Sequence, residues 1–139
     1  VARPSSRHRL MAITLSVGTR LPAAHTSMGR VLLAQLSDAD LGAYLERVVL
    51  EAYTDKTVTD KAELKKCILK VRQQGYSIAD QELDSGLRSL AVPAFDANGK
   101  LLGAINISTN AARVDLDTLM KEYLPLLQRK AREIRATIS

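Results

Sequence analysis

An α+β fold, with an antiparallel sheet and helices packed on its faces, is what three features of this sequence predict. The dipeptide Asn98-Gly99 lies between two strand-like runs and tolerates the positive φ angles of a hairpin turn. Segments of helical period are bounded by N-cap residues, Ser37 and Asp60, and by a C-terminal glycine, Gly75. The order of elements (strand, two helices, a long helix, a strand, a hairpin, a final helix) alternates too irregularly for a doubly wound parallel sheet.

Each element has its own signal. Met11, Ile13, Leu15 and Val17 share one face of a strand over residues 10–17, and Gly18 and Pro22 mark the break after it. Met28, Val31, Leu32 and Gln35 follow helical spacing over residues 27–36. Ser37 caps a second helix from residue 38 to about 46, with Asp40 three positions on. Residues 48–60 carry no clear period. Asp60 and Glu63 open a helix whose stripe is Leu64, Cys67, Ile68 and Val71, and Gly75 suits the left-handed position after it. Period two returns at residues 76–79, then at 89–95 and 100–108; Pro93 favours an edge or a bulge. The last helix spans about 115–138, on a stripe of Leu116, Leu119, Tyr123, Leu127, Ala131, Ile134 and Ile138, and Pro125 should bend or divide it.

The totals narrow the classes of function. A chain of 139 residues, 46% hydrophobic and 25% charged, fits one packed domain. With one Phe and no Trp, the core rests on Leu, Ile, Val and Ala, and base-stacking platforms are disfavoured. The single cysteine, Cys67, cannot form an internal disulfide, which suits a cytoplasmic protein; on a helix stripe it reads as a small buried hydrophobe. No apolar run reaches the roughly 20 residues of a membrane span. The net charge of +5 gathers at the ends, in Arg3, Arg7 and Arg9 and in Arg129, Lys130, Arg132 and Arg135. That pattern reads as a linker and a soluble surface before it reads as a nucleic-acid interface.

No catalytic, metal or cofactor site is expected. The serines Ser27, Ser85 and Ser89 and the histidines His8 and His25 lack a Gly-x-Ser-x-Gly frame. One Cys and two distant His give no metal-ligand spacing, and Asp80, Glu82 and Asp84 read as a solvated acidic loop before a cation site. Gly18, Gly29 and Gly42 are too scattered for a phosphate cradle. What remains is small polar groups among apolar ones. Thr26 and Ser27 begin a helix, whose free amides and dipole attract an anion. Ser89, Asn106 and Ser108 are on strands, the last two facing one side. Such a set suits a small carboxylate, or else satisfies backbone groups at a sheet end.

Four blocks then carry a resemblance: Leu21-Pro22-Ala23-Ala24-His25-Thr26-Ser27-Met28-Gly29-Arg30-Val31-Leu32-Leu33-Ala34, Gly75-Tyr76-Ser77-Ile78, Gly86-Leu87-Arg88-Ser89-Leu90-Ala91-Val92-Pro93 and Ala104-Ile105-Asn106-Ile107-Ser108. Together they resemble the effector-binding domain of the IclR family of transcription regulators, in order and over nearly the whole chain. The resemblance implies a GAF-like or profilin-like curved antiparallel sheet flanked by helices. It makes residues 1–9 the end of a linker from an N-terminal winged helix-turn-helix and residues 10–139 the effector domain. It implies a small carboxylate effector, a homodimer or homotetramer, and DNA contact through the other domain. By position the effector-binding residues would be Ser27, Met28, Ala79, Leu87, Ser89, Asn106 and Ser108, with Arg20, His25 and Arg88 as cations for a second carboxylate. Arg88 has a competing reading, a structural pair with the acidic loop. Ala79 stands where some members carry an acid and Asn106 where others carry serine, so the ligand should differ from theirs. The stretch Val17-Gly18-Thr19-Arg20-Leu21-Pro22 with the first block looks most like the branch controlling protocatechuate and β-ketoadipate catabolism. Two rivals stay open: a hydrolase or isomerase using Ser27 or Ser89, and an oligomerisation module without a ligand.

Overall fold

The computed structural model describes residues 23–138. The predicted strand over residues 10–17, the linker at 1–9, and Arg20 lie outside the described residues. A 3-10 turn, Ala23–His25, leads into α1 (Ser27–Ala34), α2 (Asp38–Arg47) and α3 (Lys61–Gln74). Then come β1 (Ser77–Asp80), β2 (Leu87–Phe95) and β3 (Leu101–Asn110), followed by α4 (Leu116–Thr118), a π-turn (Leu119–Tyr123) and α5 (Leu124–Thr137). The described strands form one antiparallel sheet in the order β1-β2-β3. The α+β expectation holds.

The caps act as their chemistry requires. The side chains of Ser37 and Asp60 accept the amides of Asp40 and Glu63, satisfying donors that the first helical turn leaves free. Gly75 ends α3 at φ 84, a left-handed conformation that costs a residue with a Cβ about 1 kcal/mol. Gly99 also adopts φ 84, and its amide closes a β-turn on the Asp96 carbonyl at 3.0 Å. Asn98 has no positive φ, so the hairpin is a three-residue loop in which only the glycine is left-handed. The Asp96 carboxylate stabilises that loop by accepting the amides of Asn98 and Lys100, both at 2.9 Å.

Pro93 lies on β2 beyond the reach of β1, whose pairing with β2 ends at Ser77↔Ala91, so only β3 flanks it among the described residues. One step on, the register shifts at Ala94/Phe95. Pro125 divides the last helix, as expected. Proline has no amide hydrogen to donate and its ring crowds the carbonyl one turn back; just before it the Leu124 amide donates to Leu119 O, a π-type step. Most of the predicted stripe holds: Leu119 and Leu127 are buried, Tyr123, Ala131 and Ile134 are half-buried, and the π-turn adds buried Leu124, whereas Leu116 and Ile138, at the two ends, are 43% and 44% exposed.

The two sheet faces differ in character. Ile78, Leu90 and Ile107 align across the three strands and pack with Val92 and Ile105 against Leu119, Leu124 and Leu127 of the C-terminal helix. The opposite face carries Ala91 and Ala104, which pack on α1; α1 in turn is enclosed by Leu41, Leu45, Leu64, Ile68 and Val71 of α2 and α3. That enclosure explains a departure in α1. Of the predicted stripe Met28 and Val31 are buried, but Leu32 and Gln35 are the two residues of 27–35 left exposed, while Ser27, Arg30 and Ala34 are buried in addition. Arg72 fastens the end of α1 from α3, donating to the carbonyls of Ala34 at 3.0 Å and Leu36 at 2.8 Å and pairing with Asp38 at 2.8 Å. Cys67 is only partly buried.

Candidate functional site

Antiparallel register gathers small polar side chains on the α1 face of the sheet. Ala79, Ser89 and Ser108 are cross-strand partners and form one row; Ser77, Ala91 and Asn106 form the next. Partners in a row point to the same side about 5 Å apart, and rows repeat about 7 Å along the strands. Leu87 continues this face on β2. Ser89, Asn106 and Ser108 are all buried, an uncommon fate for three polar strand residues.

The N-terminus of α1 meets this face. Thr26 caps the helix, its hydroxyl accepting the Gly29 amide at 2.9 Å. Ser27 is fully buried, and Asn106 Nδ2 lies 3.5 Å from its Oγ. Met28 is buried beside it. The structure thus brings Ser27 to Asn106 and aligns Ala79, Ser89 and Ser108 on the same face. Among the described residues three buried side-chain atoms have no hydrogen-bond partner: His25 Nδ1, Ser77 Oγ and Asn106 Oδ1. Leaving such groups unpaired costs about 1–3 kcal/mol each. Ser77 and Asn106 belong to the same row. Sequence reasoning missed Ser77, although its position two before Ala79 on one strand already put both on one face.

The predicted cations fare differently. Arg88 points from β2 to the other face, where its guanidinium pairs with Asp80 at 2.9 Å and donates to Val114 O at 2.6 Å and Ala111 O at 3.3 Å. It therefore sits apart from the Ser27–Asn106 side, paired structurally with the acidic loop. Burial pushes Asp80 up, but the hydrogen bonds from Arg88 and Gln81 and the charge of Arg88 outweigh it and hold the carboxyl below its ordinary range.

His25 is 2% exposed and meets Tyr53 edge-on at 5.5 Å. Burial first, then the neighbouring charge of Arg30, lowers its pKa below the ordinary 6.5, against an opposing pull from Glu82. At neutral pH this favours the uncharged imidazole over the cation. The stability this contributes is complete above pH 6.5 and falls as pH drops from there toward the folded-state value, because only the unfolded chain takes up the proton. We expect wild-type denaturation midpoints to fall more steeply below pH 6.5 than those of His25→Gln; parallel curves would contradict this.

Arg30, within the first turn of α1, is engaged through all three of its guanidinium nitrogens. It is 3% exposed, its Nε donates to Ala24 O at 2.7 Å, and both terminal nitrogens hold the Glu82 carboxylate, at 3.1 and 2.5 Å. Two acids of the loop are therefore not free in solvent, since Glu82 pairs with Arg30 and Asp80 with Arg88, whereas Asp84 is exposed as expected. Among the described residues no group of three His, Cys, Asp or Glu side chains could hold a metal.

Comparison with known proteins places this geometry. The family described as "Bacterial transcriptional regulator IclR C-terminal" matches residues 2–136. The Pca regulon regulatory protein of Pseudomonas putida is 47% identical over 96% of this chain and 46% of its own length. The p-hydroxybenzoate hydroxylase transcriptional activator of Acinetobacter baylyi is 34% identical over 91% of this chain and 47% of its own length. The chain thus spans about half the length of these relatives. Among solved structures, a double mutant of the PobR inducer-binding domain from Acinetobacter, in complex with 3-hydroxybenzoic acid, superposes with TM-score 0.81 at 34% identity, covering 87% of this chain and 69% of that one. The coverage of the family match and the identity to these regulators leave one assignment: this chain belongs to the C-terminal domain family of the bacterial IclR transcriptional regulators.

Proposed function

We propose that this chain is the effector-sensing domain of a transcription regulator and that it takes a small aromatic acid against the α1 face of the sheet. The observation that carries this is the convergence of Ser27 from α1 with Asn106 of β3, in line with Ala79, Ser89 and Ser108 across the strands. Hydroxyls, an amide and the first-turn amides of α1 supply neutral donors for a carboxylate and acceptors for a ligand hydroxyl. Met28 and Leu87 supply apolar contact for the ring.

Among the described residues both arginines near this region are paired internally, Arg30 with Glu82 and Arg88 with Asp80. A second carboxylate therefore finds no ready cation there, which favours an aromatic monocarboxylate over a dicarboxylate; Arg20 is the group whose removal tests that preference. The related domain solved with 3-hydroxybenzoic acid points the same way. In the whole protein, DNA contact would come from a further domain and the regulator would act as a homodimer or homotetramer in the cytoplasm. Binding acts on the regulator by its unequal affinity for two subunit arrangements.

Calorimetry with 3,4-dihydroxybenzoate and 3-hydroxybenzoate tests the site. Ser27→Ala combined with Ser89→Ala should weaken binding about tenfold or more, through loss of buried hydrogen-bonding groups. Unchanged affinity in the double variant would show the site to be elsewhere. The ligand should be returned chemically unchanged; turnover would favour an enzyme built on Ser27 or Ser89.

A further inference from the structure

The Arg30–Glu82 pair lies at the end of a chain of contacts that starts at the surface segment 53–57. Thr54 Oγ1 donates to Gln81 O at 2.5 Å, and Thr57 Oγ1 donates to Glu82 O at 2.5 Å. Between them the backbone is strained. Gln81 is the only non-glycine among the described residues with a positive φ, 58°. Such a conformation costs a residue with a Cβ about 1–2 kcal/mol and persists only where its surroundings impose it. Here they do: Gln81 Oε1 accepts the Gly86 amide at 3.1 Å and its Nε2 donates to Asp80 at 3.2 Å. The strained turn presents Glu82 to Arg30. Arg30 then reaches back past the helix start to Ala24 O. Ala24 and Arg30 bracket Thr26, Ser27 and Met28, so the guanidinium spans the turn that carries the candidate effector contacts.

We infer that Glu82 is a positioning residue for the first turn of α1, and that the Thr54/Thr57 clamp sets effector affinity from a distance through it. This rests on the proposed effector site, because the residues positioned are Ser27 and Met28. Glu82 itself touches no ligand in this scheme. Its carboxylate is consumed by Arg30, and its loop is held at the backbone by two threonine hydroxyls. A rigid first turn presents Ser27 to Asn106 in one geometry, whereas a loose one must be ordered at the expense of binding.

The test uses two readouts, one of which needs no ligand. Amide hydrogen exchange in Thr57→Val and in Glu82→Gln should be at least tenfold faster at Gly29 and Arg30 than in the wild type, with α3 amides unchanged. The dissociation constant for 3,4-dihydroxybenzoate should rise at least tenfold in both variants, and combining them should add little, because they act through one contact chain. Ser37→Ala, which removes the cap of α2, is the control: it should lower the melting temperature without moving the affinity. Exchange at Gly29 and Arg30 unchanged in both variants would overturn the inference. A wild type that binds no hydroxybenzoate while the exchange result holds would instead overturn the effector reading and leave the positioning role standing.

Discussion

Gly29→Ala is expected to destabilise the domain by about 3 kcal/mol or more, lowering the melting temperature by roughly 10 °C. Gly29 is inside α1, where alanine ordinarily improves a helix by about 1 kcal/mol. Here the added Cβ would stand 2.7 Å from the Ala23 carbonyl carbon and 2.5 Å from its Cα, and closer still to the carbonyl oxygen. These are backbone atoms that no rotamer change can move aside. Relief requires pushing the Ala23–His25 turn away from α1, and that turn is held by the Arg30 bond to Ala24 O and by a Thr26 amide bond to Ala23 O. Gly42→Ala is the matched control. A Cβ at Gly42 meets nothing within 4 Å on an exposed face of α2, so the same substitution should stabilise by about 0.5–1 kcal/mol. Thermal melts of the two variants should move in opposite directions; a Gly29→Ala protein as stable as the wild type would contradict the close approach.

Glu82→Ala carries the second large effect, an expected loss of about 3–5 kcal/mol. Glu82 and Arg30 are 12% and 3% exposed, and truncating the acid leaves a buried guanidinium with only the Ala24 carbonyl. The cost comes from the orphaned charge, and that gives the prediction its signature. Arg30→Met combined with Glu82→Leu removes both charges, and in buried pairs such replacement is often close to neutral. Denaturant titrations should therefore show the double variant more stable than Glu82→Ala alone. If the double variant were instead the least stable, the pair itself, and not its orphaning, would be the source of the effect.

The residues behind these two predictions show where sequence reasoning reaches and where it stops. Local chemistry was legible: the caps at Ser37 and Asp60, the glycine after α3, the hairpin at 96–99 and the division at Pro125 all follow from short-range stereochemistry. The polar face was legible too, because Asn106 and Ser108 are two apart and period two is a local rule. The pairing of Arg88 with the acidic loop was open to the sequence as one reading, but the Arg30–Glu82 pair was not. Arg30 and Glu82 are separated by 52 residues, and neither the burial of Arg30 nor the partner of Glu82 leaves a periodic trace. Charge alone made the 80–84 loop look solvated. Likewise Gly29 read as one more helix residue until the turn before it folded back against it. The exposed Leu32 and buried Ser27 of α1 have the same origin: a helix enclosed by a sheet and two helices buries almost every side, and its own periodicity no longer says which. The π-turn left most of the last stripe in place and added Leu124 to it, a local insertion that a regular 3.6 period does not foresee.

The central claim is that this domain binds a small aromatic acid without changing it, and a thermal-shift titration with 3,4-dihydroxybenzoate, 3-hydroxybenzoate and a series of dicarboxylic acids tests it most directly. A ligand that binds only the folded chain stabilises it by about 2.7 kcal/mol at a hundredfold excess over its dissociation constant. The account predicts a saturable rise in melting temperature of several degrees with a hydroxybenzoate, weakened in the Ser27→Ala, Ser89→Ala variant, with the ligand recovered intact. No shift with any aromatic or dicarboxylic acid, or a shift identical in that variant, would contradict it.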